Sequence, residues 1–105
     1  MPLRDHVIWG GHNPFSDPRL TNLDTLVRNI RRYRRMPPNV QGGGNFLNLR
    51  GDLPPKPLGY YREYDLVAPA PGGRGKLRMV LGNGGEVYIT GNHYDDFRQV
   101  INMPE

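Results

Sequence analysis

The 105-residue chain contains no cysteine, which excludes disulfides and any thiolate nucleophile or thiolate metal ligand. It also lacks an apolar run long enough for a membrane-spanning helix, and Met1-Pro2-Leu3-Arg4-Asp5 is not a signal peptide. Export would therefore need an address on a larger parent chain or a separate machine. No internal repeat is present, and a chain this short reads as one domain over residues 1–105. Apolar material is modest too: 36% of residues are hydrophobic, enough for one core and little else. The 14 glycines and 11 prolines sit between periodic segments, which marks them as loops and turns rather than disorder.

Most of the chain has no net charge. Residues 1–35 carry seven arginines against Asp5, Asp17 and Asp24, while residues 36–105 carry seven basic against seven acidic residues. The whole excess of +4 lies in the N-terminal third. Such a patch suits a polyanion such as RNA or an acidic protein partner, and also simple solubility.

What is present is periodic. Residues 1–19, with Trp9, Gly10, Gly11, Pro14 and Pro18, read as an irregular arm. Residues 20–36 read as an amphipathic helix: Thr21 can cap it, Asp24 lies near the positive end of its dipole, and Leu23, Leu26, Val27 and Ile30 recur at helical spacing, with Tyr33 continuing the stripe. Arg28, Arg31, Arg32, Arg34 and Arg35 spread over the rest of its surface, a face that is either solvated or meets phosphates or an acidic partner. Met36-Pro37-Pro38 stops it. Residues 41–58 are turn-rich and begin Gly42-Gly43-Gly44; glycines let backbone approach a ligand, and exposed amides can meet a base edge.

From Tyr60 the period becomes two. Tyr60, Tyr64 and Leu66 share one face, and Tyr61, Glu63, Asp65 and Val67 the other. Leu77, Met79 and Leu81 likewise oppose Lys76, Arg78 and Val80. Gly82-Asn83-Gly84-Gly85 signals a hairpin, Val87 and Ile89 lie together in the next strand, and a last strand falls near Phe97–Ile101. One helix ahead of an antiparallel meander over residues 60–105 predicts an α+β fold, with the helix covering the apolar face of the sheet.

The chemistry-bearing residues fall in the meander. Glu63 can take a proton, His93 can give one, and Arg74 and Arg78 can hold phosphoryl oxygens between them, a sufficient set for phosphodiester chemistry without a metal or other cofactor. Alternation puts Glu63 and Arg78 on the polar faces of neighbouring strands about 4.8 Å apart. Arg74 enters that strand from the preceding turn, and His93 follows a turn at its neighbour's end. Taken singly, each of these is more often an ordinary surface residue. His93 with Asp95 and Asp96 is the alternative metal site, but adjacent carboxylates after a turn are usually solvated, and His6 and His12 have no companion motif.

Order and spacing add to residue type. An aromatic-x-Glu strand motif is present as Tyr61-Arg62-Glu63; Arg74 follows Glu63 by eleven residues and Arg78 follows by four more; Gly91-Asn92-His93-Tyr94 closes the set, and Phe46-x-Asn48 leads through Leu53-Pro54 to Tyr60. This pattern resembles the small bacterial guanyl-preferring ribonucleases, the barnase group, from about residue 45 to the C-terminus. The resemblance implies the microbial ribonuclease fold and a residue-by-residue mechanism. Glu63 would take the proton from a ribose 2′-hydroxyl, His93 would protonate the departing 5′-oxygen, and Arg74 and Arg78 would stabilise the phosphoryl charge, leaving a 2′,3′-cyclic phosphate on single-stranded RNA. Phe46, Asn48, Arg50, Tyr61 and Tyr94 are the implied substrate contacts. One position departs from the pattern: Arg50 stands where the family's base-reading loop has a glutamate, and arginine accepts no hydrogen bond. Asp52 is the substitute if the loop is rearranged, so base preference is left open.

The resemblance further implies a monomer that works on RNA and is held in check by an acidic immunity protein, as barstar-like inhibitors do for the family. It suits the toxic end of a larger secreted protein, delivered into the cytoplasm of a competing cell, with no membrane partner. A non-catalytic RNA-binding or protein-interaction module on the same fold is the alternative, and a DNA-directed nuclease a second. A pure binder has no need of the Glu63–His93 pair.

Overall fold

The computed structural model describes residues 3–9, 23–33, 42–66 and 77–103. In chain order they form β1 (Leu3–Ile8), α1 (Leu23–Tyr33), β2 (Gly42–Asn45), β3 (Tyr61–Asp65), β4 (Arg78–Gly82), β5 (Val87–Thr90) and β6 (Phe97–Ile101). The six strands make one sheet in the order β1-β6-β5-β4-β3-β2, antiparallel from β2 to β6 with β1 parallel to β6. This is the expected α+β architecture, a helix on an antiparallel meander. The Thr21 cap, residues 34–36, most of the N-terminal arm, the turn at residues 69–73 and Arg74 lie outside the described residues.

Two segments expected to be irregular are strands. Leu3-Arg4-Asp5-His6-Val7-Ile8 shows no alternation, yet it pairs with β6 from Leu3↔Phe97 to Ile8↔Ile101, with an irregularity between Leu3 and Asp5. The partner lies some ninety residues away in sequence, so no local pattern announces it. Gly42-Gly43-Gly44-Asn45 has poor strand propensity, but the open edge of β3 recruits it through Gly44↔Glu63 and Asn45↔Arg62. The segment expected to read a base therefore begins as an edge strand and becomes a loop only at Phe46.

Eleven residues are too few for a helix to hold its shape alone, so α1 depends on its packing. Val27 and Ile30 are fully buried against Tyr64, Leu66, Leu77, Met79, Leu81, Val87, Ile89 and Val100. Each such aliphatic side chain contributes about 1.5–3 kcal/mol on burial. The buried stripe ends at Ile30: Tyr33 is 57% exposed, and the Arg32 guanidinium lies 5.4 Å above its ring. Arg28 caps Trp9 in the same way at 5.6 Å. Helix and arginines thus cover the face formed by Met79, Leu81 and Ile89.

The opposite face, expected to be polar, carries a second core. Leu53, Tyr61, Val80, Tyr88 and Phe97 are buried there, with Phe46, Tyr60 and Tyr94 packed against them. Every residue of β4 and β5 is buried as a result. Tyr60 belongs to this side rather than to the helix side, because it precedes β3 and is free of the strand's alternation. Its hydroxyl donates to Glu86 Oε2 at 2.7 Å, and its ring stands edge-on to Tyr61 at 5.0 Å. The β4–β5 hairpin closes where Gly85 N donates to Gly82 O at 2.9 Å, with Gly85 at φ 95°, a conformation suited to glycine.

The buried phenols of this second core set a pH limit. Burial pushes the Tyr61 hydroxyl up to about 12 from its ordinary 10.0, and burial also raises Tyr88, with the Glu86 charge adding to it. A phenol that ionises more readily unfolded than folded contributes stability that is complete below pH 10 and fades as pH rises towards 12. Urea unfolding should accordingly show stability falling across that window, with a shallower fall in Tyr61→Phe. An unfolding free energy that stays flat from pH 10 to 12 would contradict this.

Candidate active site

A cleft of about 410 Å³ opens on the second face, lined by residues 45–50, Asp52, Glu63, His93 and Tyr94. One wall is the loop that leaves β2. Phe46 N donates to Tyr61 O at 3.0 Å, which starts this loop two residues along β3 from Glu63. Asn48, at φ 54°, braces it from within: its Nδ2 donates to Leu53 O at 2.9 Å, and Leu53 N donates to its Oδ1 at 3.0 Å. Leu53 is itself anchored in the second core. Tyr61 donates its hydroxyl to Pro54 O at 2.7 Å and is fully buried; it supports the loop and does not line the cleft, contrary to its expected role as a substrate contact.

The other wall is the turn after β5. The buried Thr90 hydroxyl donates to Asn92 Oδ1 at 2.9 Å and accepts from Asn92 N at 3.3 Å and Tyr94 N at 3.2 Å. Asp96 N donates to Asn92 Oδ1 at 3.1 Å. These bonds hold His93 at φ 55° and Tyr94 at φ 72°, a region that costs a side-chain-bearing residue on the order of 1 kcal/mol or more. His93 is exposed with its ring 4.9 Å from that of Tyr94. Tyr94 in turn leans on Phe46 at 5.2 Å and Phe97 at 6.0 Å. Burial raises the Tyr94 phenol, the negative charge of Glu63 raises it further, and Arg78 works in the opposite sense. The hydroxyl stays protonated beside the Glu63 carboxylate.

Arg78 was expected on Glu63's face of the sheet; the register sets Glu63 opposite Val80 and Arg78 opposite Asp65, one pair further along that face. Arg78 Nε lies 3.1 Å from Asp65 Oδ1, with the two side chains 4% and 1% exposed, and Arg78 Nη1 donates to Leu77 O at 2.9 Å. Arg78 is therefore buried on the same face of the sheet as Glu63, with its charge reaching Tyr94. Among the expected residues the cleft brings together Glu63, His93, Tyr94, Phe46, Asn48 and Arg50. Among the described residues no three of His, Asp and Glu gather into a metal-binding group.

The sequence model of the ribonuclease family matches residues 21–101. This chain belongs to the ribonuclease family. Within that family it is 42% identical over 64 residues to guanyl-specific ribonuclease St of Saccharopolyspora erythraea, covering 61% of this chain and 63% of the relative. It is 39% identical over 61 residues to guanyl-specific ribonuclease Sa of Kitasatospora aureofaciens, covering 57% and 64%. The matched stretch thus spans a little under two thirds of these ribonucleases. Its fold is similar to the crystal structure of ribonuclease Sa2 with guanosine-2′-cyclophosphate, at a TM-score of 0.65 and 31% identity over 93% of this chain and 95% of that one. Ribonuclease Sa2 with 3′-GMP superposes at a TM-score of 0.68 with 30% identity.

Three supporting residues of this family member escaped the sequence reading. Asp65 reads only as a residue of the Glu63 face, and the opposite charge of Arg78 on the neighbouring strand is the available signal for their pair. Thr90 and Asn92 flank the His93 turn with side chains of the kind that bond nearby backbone, which is a legible turn signature. The Arg78–Asp65 pair gives a stability test. Asp65→Ala strands a buried guanidinium and should lower unfolding free energy by roughly 3–5 kcal/mol in chemical denaturation. A variant as stable as the parent would show that the pair is not what holds Arg78.

Proposed function

We propose that this domain is an endoribonuclease that cleaves single-stranded RNA by transesterification, without a metal. The carrying observation is that Glu63 and His93 line one cleft together with the loop that is braced by Asn48. Glu63 takes the 2′-hydroxyl proton as the oxygen attacks phosphorus, and His93 protonates the departing 5′-oxygen. The Tyr94 hydroxyl beside Glu63 stays protonated and adds no charge of its own to the cleft. Arg78, oriented by Asp65, and Arg74 supply positive potential for the phosphoryl oxygens. A guanosine preference is supported by the guanyl-specific relatives. Glu63→Gln and His93→Gln should each lower kcat/KM on RNA by about 10²–10⁴-fold with melting temperature preserved. Wild-type cleavage should persist in EDTA and spare DNA, which lacks the nucleophile. Fully active variants, or loss of DNA, would refute the assignment.

We also propose that the domain acts as a toxin in a recipient cell's cytoplasm and is neutralised in its producer by an acidic immunity protein. A cysteine-free chain folds without an oxidising compartment, and a net charge of +4 offers an acidic inhibitor long-range attraction. Induced expression of the wild-type chain in bacterial cytoplasm should arrest growth while Glu63→Gln does not. Unimpaired growth with soluble wild-type protein present would count against the toxin reading.

A further inference from the structure

The positive charge of this chain is concentrated where the proposed mechanism makes no use of it. Residues 1–35 hold the whole net excess of +4, and residues 36–105 balance to zero. Within that third, α1 lies across the face of the sheet opposite the cleft and carries Arg28, Arg31 and Arg32 against a single acid, Asp24. A helix face that serves only solubility gains from alternating signs, and like charges one turn apart, as at Arg28 and Arg32, destabilise it. Among the described residues no carboxylate is in ion-pair reach of either. Arg31 is committed to the fold: its Nη2 lies 2.9 Å from the place a Cβ at Gly85 would take, against the β4–β5 hairpin.

Arg28 and Arg32 are exposed, and each is set over an aromatic ring. The Arg28 guanidinium lies 5.6 Å from the Trp9 ring centroid and that of Arg32 lies 5.4 Å from the Tyr33 centroid, with Tyr33 57% exposed. A guanidinium resting on a ring is already oriented, so it loses less freedom when it meets an anion. The face thus presents one cation-and-ring pair and a second about one helical turn on. Single-stranded RNA repeats in the same manner, a phosphate and a base per nucleotide, and is bound by basic tracks with aromatic rings for stacking. An acidic protein would match the charges but would offer the exposed Tyr33 ring no base. We propose that this face of α1 is a second RNA-binding surface, remote from the cleft, where Arg28 and Arg32 contact phosphates and Tyr33 stacks on a base. The choice of RNA rests on the proposed ribonuclease function. A long strand engages both surfaces, so the second raises its effective concentration at the cleft, whereas a dinucleotide engages the cleft alone.

Fluorescence anisotropy of a labelled, fully 2′-O-methylated single-stranded RNA tests it, because that strand has no free 2′-hydroxyl and binding is read without cleavage. Arg28→Gln/Arg32→Gln should flatten the slope of log K against log salt by about 1.4, two contacts at about 0.7 each, and weaken binding roughly 10–30-fold at about 0.1 M salt. Tyr33→Leu should weaken binding about fivefold or more and leave the slope unchanged. Lys56→Gln, which removes an exposed charge elsewhere, should leave the slope as it is. Unchanged slope and affinity in the double variant, an equal fall per charge in Lys56→Gln, or competition by poly-glutamate as strong as that by RNA would each overturn the proposal. Cleavage assays keep the two ideas apart. The double variant should retain wild-type kcat/KM on the dinucleotide GpA and lose it on long RNA through a raised KM. A wild type that binds through these arginines but cleaves neither substrate defeats the enzymatic reading alone. A double variant that cleaves both substrates as the wild type does defeats the second surface alone.

Discussion

A one-residue slip of β3 would turn Glu63 into the helix-side core and bring Tyr64 out into the cleft, because successive strand residues face opposite sides. The register that prevents this is set from both flanks: Gly44 pairs with Glu63 on one side, and Val80 pairs with Glu63 on the other. Both faces of β3 are also committed, with Tyr64 in the helix-side core and Tyr61 in the second core. A slip would have to expose one aromatic residue and bury a carboxylate, each costing on the order of several kcal/mol. The cleft inherits its position from that register, since the loop beginning at Phe46 leaves the sheet where β2 stops pairing.

Rigidity of the two cleft walls follows from where their polar groups are spent. On one wall Asn48 closes the loop with paired bonds to Leu53; on the other Thr90 and Asn92 hold two left-handed residues that would otherwise relax. Arg50 ties wall to wall. Beneath them the Tyr61, Tyr88 and Phe97 cluster keeps water from the floor, which strengthens electrostatic effects on Glu63, Tyr94 and the buried Arg78–Asp65 pair. Stability and proposed catalysis therefore draw on the same face of the sheet.

Much of this was legible in the sequence. The apolar spacing of Leu23, Leu26, Val27 and Ile30 announces α1, and alternation in three segments between Tyr60 and Thr90, with a last apolar stretch near Phe97–Ile101, announces four strands, because these signals are local. Glu63 and His93 are legible through motif and spacing. What escaped was non-local: β1 and β2 are strands only because β6 and β3 offer them open edges, and nothing in three consecutive glycines predicts pairing. Tyr61 reads as a substrate contact through the family resemblance, yet its hydroxyl is taken by Pro54. Alternation puts Arg78 on Glu63's face but does not fix the register, so its buried partner Asp65 was not legible.

The most direct test of the account is the chemistry of the cut ends. A short single-stranded RNA bearing one guanosine, incubated with the purified chain in EDTA, should yield a 2′,3′-cyclic phosphate on the upstream fragment and a 5′-hydroxyl on the downstream one, read by mass spectrometry and phosphorus NMR. A 3′-hydroxyl with a 5′-phosphate, or RNA left intact by folded protein, would contradict the roles given to Glu63 and His93.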